Sequence, residues 1–249
     1  MSKLQPVLIV PDVHRPYHSK PGWKLLMAAA KDLKPHTIVV IGDFADFYSL
    51  SSYSKDPERA GKLDTEMEDV RWGIRELESL KAKRKIFVMG NHEDRMRRYL
   101  QDKAPELWQM VSIEKWLGIK DWEVVDYKDH TTLGRLHLTH DVGKTGRMAV
   151  FNALDTYQHS VVTGHAHRLA YVVEGNAIGE QKLSAQFGWL GDPDAVDYMH
   201  KANVRKNWAL GFGVGYLNPE NGLVYLTPVP IVKDGANHTC VVNGKLYTS

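Results

Sequence analysis

Three short, nearly unbroken apolar runs, at residues 7–10, 37–41 and 86–89, are rich in β-branched side chains, and each gives way to Pro-Asp, Gly-Asp or Gly-Asn. Such runs with abrupt exits predict strands buried on both faces. Between the first two, Trp23, Leu26, Met27, Ala30 and Leu33 recur at spacings of three and four and stop before Pro35. Between the second and third, Met67, Val70, Ile74 and Leu77 do the same, opened by Asp64. Both patterns predict amphipathic helices. Strand and helix in alternation imply a parallel α/β sheet with right-handed crossovers.

Further along, helices are expected after Asn91, over residues 106–117 and over residues 145–157. Residues 131–140 and 159–165 read as strands. From Gly211 onward strands dominate: residues 211–231 have the shape of a hairpin turning at 218–222, and Asn243-Gly244 is a favoured two-residue turn. No internal repeat, low-complexity tract or linker divides the chain. Residues 1–249 are therefore expected to form one domain with a β-rich C-terminal part from about residue 205.

Composition narrows the partners. At 249 residues and 43% hydrophobic the chain can bury a sizeable core, and 32 basic against 30 acidic residues make no general demand for a polyanion. A single cysteine, Cys240, excludes an internal disulfide and fits a reducing compartment, so a cytoplasmic location is expected. The N-terminal apolar run is too short for a signal peptide or a membrane span, and no membrane partner is expected.

Candidate chemistry collects at the strand exits, where open α/β sheets bind ligands. Asp12 and His14 follow the first run, Asp43 the second, Asn91 and His92 the third; His140 follows residues 136–139, and His165 and His167 follow residues 160–164. One such histidine is ordinary, but five strand ends doing it together are not. Two carboxylates, an amide oxygen and four imidazoles, without a thiolate, suit Mn²⁺, Fe²⁺, Zn²⁺ or Ni²⁺. Seven ligands are too many for one tetrahedral ion and suit two ions sharing a carboxylate. Alternate residues of an extended segment project to the same side, so His165 and His167 should both face the centre, with Ala166 pointing away.

The segments "DVH" at 12–14, "GDFAD" at 42–46, "GNHE" at 90–93, the lone His140 and "GHAH" at 164–167 resemble, in order and spacing, the motifs of the calcineurin-like metallophosphoesterases. The resemblance runs over residues 7–167. It implies a four-layer αββα sandwich in which two mixed sheets are flanked by helices. It implies two divalent ions, Mn²⁺ foremost, with Asp12, His14 and His167 holding one, Asn91, His140 and His165 the other, and Asp43 bridging. His92 is implied as proton donor to the leaving alkoxide and a metal-bridging hydroxide as nucleophile. The stretches "HRPYH" and "GDFADFYS" also resemble phosphoesterases found in phage genomes.

Where many protein phosphatases of this family carry Asp-Arg-Gly, this chain has Asp46, Phe47 and Tyr48. That departure, with the small basic clusters at 81–85 and 201–206, favours a phosphodiesterase on a nucleotide or nucleic-acid substrate over a phosphomonoesterase on a small molecule or phosphoprotein. A non-catalytic scaffold is disfavoured because all eight motif positions are filled. Arg95 and Arg168 are candidate phosphate contacts, with a solvated helix face pairing to Glu93 and Asp94 as the plainer use of Arg95. Asp141 reads as a turn cap or a partner of a ligand histidine, and the 48–64 connection as either plain surface or a pocket wall. Trp189 and Trp208 read as core or as base-stacking surfaces, and His18 as a residue that could line the pocket.

Overall fold

In the computed structural model, which describes residues 3–53, 62–196 and 207–249, the first three runs form β1 (Gln5–Val10), β2 (Thr37–Val40) and β3 (Arg84–Val88). With β4 (Glu123–Val125) they pair in parallel. The crossovers are α1 (Lys20–Leu33) and α2 (Leu63–Ser79). Ser19 caps α1 by accepting from the Gly22 amide, and Lys34 ends it in a left-handed conformation just before Pro35. The 211–231 hairpin is confirmed as β10 (Gly211–Leu217) and β11 (Val224–Pro230), which adds two antiparallel strands beside β1. The first sheet is therefore mixed, in the order β11-β10-β1-β2-β3-β4.

A second mixed sheet contains β5 (Thr131–Leu133), β6 (Leu136–Leu138), β7 (Val161–Val162), β8 (Leu169–Gly175) and β9 (Gln181–Phe187), in the order β5-β6-β7-β9-β8. Helix α3 (Glu93–Lys103) starts beside Asn91 as expected, and α5 (Ala149–Tyr157) starts later than its apolar pattern implied. The helix expected over 106–117 is corrected: a 3₁₀ turn at Pro105–Leu107 and a short α4 (Ile113–Leu117) replace it, because Ser112 caps a fresh start by accepting from Lys115. Strands β12 (Val232–Asp234), β13 (Asn237–Val242) and β14 (Lys245–Thr248) form a small antiparallel third sheet. Its turn puts Asn243 at φ 50° and Gly244 at φ 78°, as a tight hairpin requires.

Strand alternation builds two cores from one set of strands. Val7, Ile9, Val39, Ile41, Ile86 and Val88 meet Leu133, Leu138, Val162 and Phe187 of the second sheet. Their neighbours Leu8, Val10, Ile38, Val40 and Phe87 face Leu26, Val70, Ile74 and Leu77 of α1 and α2. Helix α5 buries Ala149, Val150, Ala153 and Leu154 on the far side of the second sheet. The outcome is the four-layer helix–sheet–sheet–helix sandwich, with the carboxyl ends of β1, β2, β3, β6 and β7 gathered at one rim. Among the described residues no helix is long and apolar enough to cross a membrane.

Candidate metal centre

The motif residues come together at that rim. Asp12, His14, Asp43 and His167 offer ligand atoms within 4.8 Å of one another, as do Asp43, His140 and His165, so the two groups share Asp43. In the first group the Nε2 atoms of His14 and His167 face each other at 3.0 Å, and His167 Nε2 lies 3.1 Å from Asp12 Oδ2. Both Asp12 carboxylate oxygens are buried with no hydrogen-bond donor aligned on them among the described residues. A buried carboxylate normally recruits donors. Orphaned oxygens facing two imidazole nitrogens fit a cation, and this observation carries the metal assignment.

In the second group Asn91 Oδ1 is 2.7 Å from His165 Nδ1 and 3.2 Å from His140 Nε2, and His140 Nε2 is 3.3 Å from Asp43 Oδ2. His140 donates through Nδ1 to the Ile41 carbonyl at 2.7 Å, which aims Nε2 at the centre. Burial opposes charge on His140, but the Asp43 carboxylate outweighs it and holds the imidazole up at about 10. Burial likewise opposes the ionised Asp43, and His140 and His92 keep it well below the usual carboxylate range. Burial dominates at His167 and pushes it down to about 4, leaving the neutral ring a metal requires.

The backbone pays for this convergence locally: His14, Asp43, His165 and His167 sit at φ 56°, 49°, 62° and 55°. Left-handed conformations at non-glycine residues are uncommon and cluster at functional sites. They also correct the expectation for residues 165–167. The two histidines converge through left-handed turns, not through the pleat of an extended strand, and buried Ala166 lines the cavity beside them. Gly90 has no side chain because a Cβ there would overlap Asp43 Oδ1.

His92 is buried beside the ligands, its Nδ1 2.8 Å from the Asp46 carbonyl and its Nε2 4.0 Å from Asp43 Oδ2. Asp46 also belongs to the site, although motif spacing does not single it out. Its Oδ2 holds His14 Nδ1 at 3.0 Å, and although burial alone would raise its carboxyl, His92 and His14 press it well below the usual range. Its signal was the second aspartate of "GDFAD". Glu93 is the other omission. Expected on a solvated helix face, it is fully buried and accepts from the amides of Asp43 (2.9 Å), Gly90 (2.8 Å) and Ala45 (2.9 Å), so it ties two motif loops together.

Arg95 is not on a solvated face either. It donates to the Asp46 carbonyl at 2.9 Å and sets Nη2 3.0 Å from His92 Nε2. Arg98 does pair with Asp94, at 3.1 Å. Arg168 borders a cavity with His92, His167 and Trp208. Asp141 caps a turn by accepting from Gly143 and also accepts from Tyr127. Trp189 is buried and stacked on His167, whereas Trp208 sets its edge against the same ring and reaches the cavity. His18 is corrected: it lines a groove between α1 and α2 with Trp23 and Asp69, not the metal cavity. In the basic run at 81–85, Arg84 pairs with Glu123 and Lys85 with Glu78. The run at 201–206 and residues 54–61 of the 48–64 connection lie outside the described residues, while Leu50 to Tyr53 line a second cavity.

A mixed-sheet sandwich with carboxylates, imidazoles and an amide converging on two cation positions defines a dinuclear metallohydrolase. The profile of the calcineurin-like phosphoesterases matches residues 5–217, and the chain belongs to that family; it is a metal-dependent phosphoesterase acting on phosphate esters. It is similar to the Gene 54 protein of Mycobacterium phage D29, 26% identical over 248 residues (91% of this chain, 93% of that one). It is equally similar to the Gene 54 protein of Mycobacterium phage L5, 26% identical over 250 residues (90% and 93%). The fold is similar to that of vacuolar protein sorting 29 from Cryptosporidium parvum, with a TM-score of 0.50 and 15% identity over 100% of this chain and 97% of that one.

Proposed function

We propose that the protein is a phosphodiesterase acting on a nucleotide or nucleic acid. The observation that carries this reading is that two cavities, of about 560 Å³ and 410 Å³, flank the centre and are both bordered by Asn91 and His165. A monoester has one organic group to place; a diester has two, and each cavity is large enough for one.

Two divalent ions, which we take as Mn²⁺, would be held by Asp12, His14 and His167 and by Asn91, His140 and His165, with Asp43 shared; bound there they supply a water of lowered pKa and positive charge for the phosphoryl oxygens. The ligand set has no thiolate, which favours such borderline and hard ions, Fe²⁺, Zn²⁺ and Ni²⁺ being the alternatives. The chain does the rest. His92, oriented through Nδ1 by the Asp46 carbonyl, gives a proton from Nε2 to the departing oxygen once Arg95 has turned from that atom to the phosphate. Arg95 and Arg168 bring positive charge to the two sides of the phosphate. Cys240 is free and buried, in keeping with the cytoplasm, where we place the protein.

With Mn²⁺ added, bis-p-nitrophenyl phosphate should be hydrolysed at least tenfold faster than p-nitrophenyl phosphate, and His92→Ala and Asp43→Asn should each abolish both activities. A monoester rate far above the diester rate would overturn the diesterase reading, and full activity in those variants would overturn the site.

A further inference from the structure

The two cavities differ in charge, and the difference has a direction. The larger one runs along α3, where Arg95, Arg98, Tyr99 and Lys103 recur at spacings of three and four and so share one helix face. Lys128, from the loop after β4, lines the same cavity. Asp94 and Asp102 are the carboxylates on its walls among the described residues, so there cations exceed anions by four to two. Arg98 is held by an exposed i,i+4 pair to Asp94, a bond that exchanges readily for a phosphate, and donates to the Asn91 carbonyl at 3.2 Å. Lys103 and Lys128 have no carboxylate partner among the described residues. Tyr99 is 42% exposed, an aromatic face in a basic groove. From Arg95 to Lys103 the helix rises about 12 Å, which carries the positive stripe well beyond a single phosphate at the metals.

The smaller cavity has a different make-up. Among the described residues it offers one full cation, Arg168, the ring of Trp208, and His92. His92 borders this cavity and not the other, so the proton donor stands on the Trp208 side.

We propose, resting on the phosphodiesterase reading above, that the substrate is a nucleic-acid strand lying along α3, with Arg98, Lys103 and Lys128 on its phosphates and Tyr99 under a base. Its departing nucleoside occupies the Trp208 cavity. Water adds to phosphorus, the ester bond to the nucleoside in the Trp208 cavity breaks, and that oxygen takes the proton of His92. The products are a free alcohol on the Trp208 side and a phosphate monoester that stays attached to the strand on α3. Stacking on tyrosine and cationic contact to the backbone are the means by which single strands are held without regard to sequence.

The test begins with binding, in EDTA, of a fluorescein-labelled twelve-residue oligothymidylate followed by anisotropy. The triple variant Arg98→Ala, Lys103→Ala, Lys128→Ala should bind at least tenfold more weakly at low salt, and its log–log salt slope should fall by about 2, near 0.7 for each phosphate no longer neutralised. Tyr99→Ala should weaken binding severalfold with the slope unchanged. Tyr99, Lys103 and Lys128 make no contact with the ligand side chains and Arg98 touches Asn91 only at its backbone carbonyl, so hydrolysis of bis-p-nitrophenyl phosphate, which has no strand to place on α3, should stay within twofold of wild type. Unchanged oligonucleotide affinity and salt slope in the triple variant would overturn the proposal. So would an equal loss of the small-diester activity, which would mean that these residues merely support the centre. Exclusive hydrolysis of monoesters by the wild type would instead remove the diesterase reading, and the anisotropy result would still say whether α3 binds a strand.

Discussion

Glu93 offers the sharpest check on how the fold supports the centre. Its carboxylate is fully buried and receives three backbone amides, from Asp43, Gly90 and Ala45, at 2.8 to 2.9 Å. Glu93→Ala leaves all three buried donors without this partner. At about 1–3 kcal/mol for each buried donor left without a partner, and with some water reaching the gap, the loss should be roughly 3–6 kcal/mol. Against a net stability of about 5–15 kcal/mol this is a large fraction, and for a chain of this size it corresponds to a fall in Tm of about 10–20 °C. Glu93→Gln keeps one acceptor oxygen. Because Oε2 takes two of the amides and Oε1 one, the amide variant can satisfy two and opposes donor to donor at the third, for a loss of about 1–3 kcal/mol. Thermal melts of the metal-free protein are the appropriate assay, since they separate the scaffold from any ligand binding. The order wild type, Gln, Ala in Tm is expected. A Glu93→Ala protein melting within about 2 °C of wild type, or a Gln variant no better than Ala, would refute the idea that this side chain holds the loops together.

Other consequences are open to direct measurement. Mn²⁺ should raise Tm in a concentration-dependent way, by about 2.7 kcal/mol of stability at a hundredfold excess over Kd, and Asp12→Asn should lose most of that gain; a metal-independent Tm would contradict the centre. Gly90→Ala drives a Cβ into Asp43 Oδ1, so it should abolish the Mn²⁺-induced shift more completely than it lowers the metal-free Tm. His18 is pushed down to about 4 by burial first and the Arg15 charge second. Below pH 6.5 the unfolded chain therefore takes up a proton that the folded chain refuses. Stability contributed by the neutral ring should be full above pH 6.5 and decline towards pH 4, by up to about 3 kcal/mol, and urea titrations should find that decline missing in His18→Asn.

Much of this was legible because strand ends carry the chemistry. The runs ending before Asp12, Asp43 and Asn91 have a period and a length that admit few other structures, and whatever follows a parallel strand lands on the same rim. Asp46 and Glu93 escaped for a physical reason. Each acts by hydrogen bonds to groups distant in the chain, His14 being 32 residues from Asp46 and Asp43 being 50 from Glu93, and spacing along a sequence carries no trace of such pairings. The charged residues of α3 read as an exposed face because a helical pattern assigns burial by hydrophobicity, and an acid buried to serve backbone amides is invisible to it. Strands β8 and β9 were not anticipated, as β8 lies at the edge of its sheet and is only partly buried, so its alternation is weak. The left-handed turns at His165 and His167 also could not be foreseen, since histidine does not announce that conformation as glycine does.

Arg15 has no part in the chemistry, yet it adjoins His14. Its guanidinium is fully buried 4.4 Å from the ring centre of Trp23, donates to Asp69 at 2.7 Å, and lies so close to Gly73 that a Cβ there would overlap it unless the arginine shifted. Consecutive residues thus look in opposite directions, one to the metals and one into the packing of α1 against α2. A single peptide link joins selection for activity to selection for helix packing. Compensating mutations for a damaged His14 loop should therefore be sought around Trp23, Asp69 and Gly73, far from anything a substrate could touch, and lineages that redesign this helix pair must do so without turning His14.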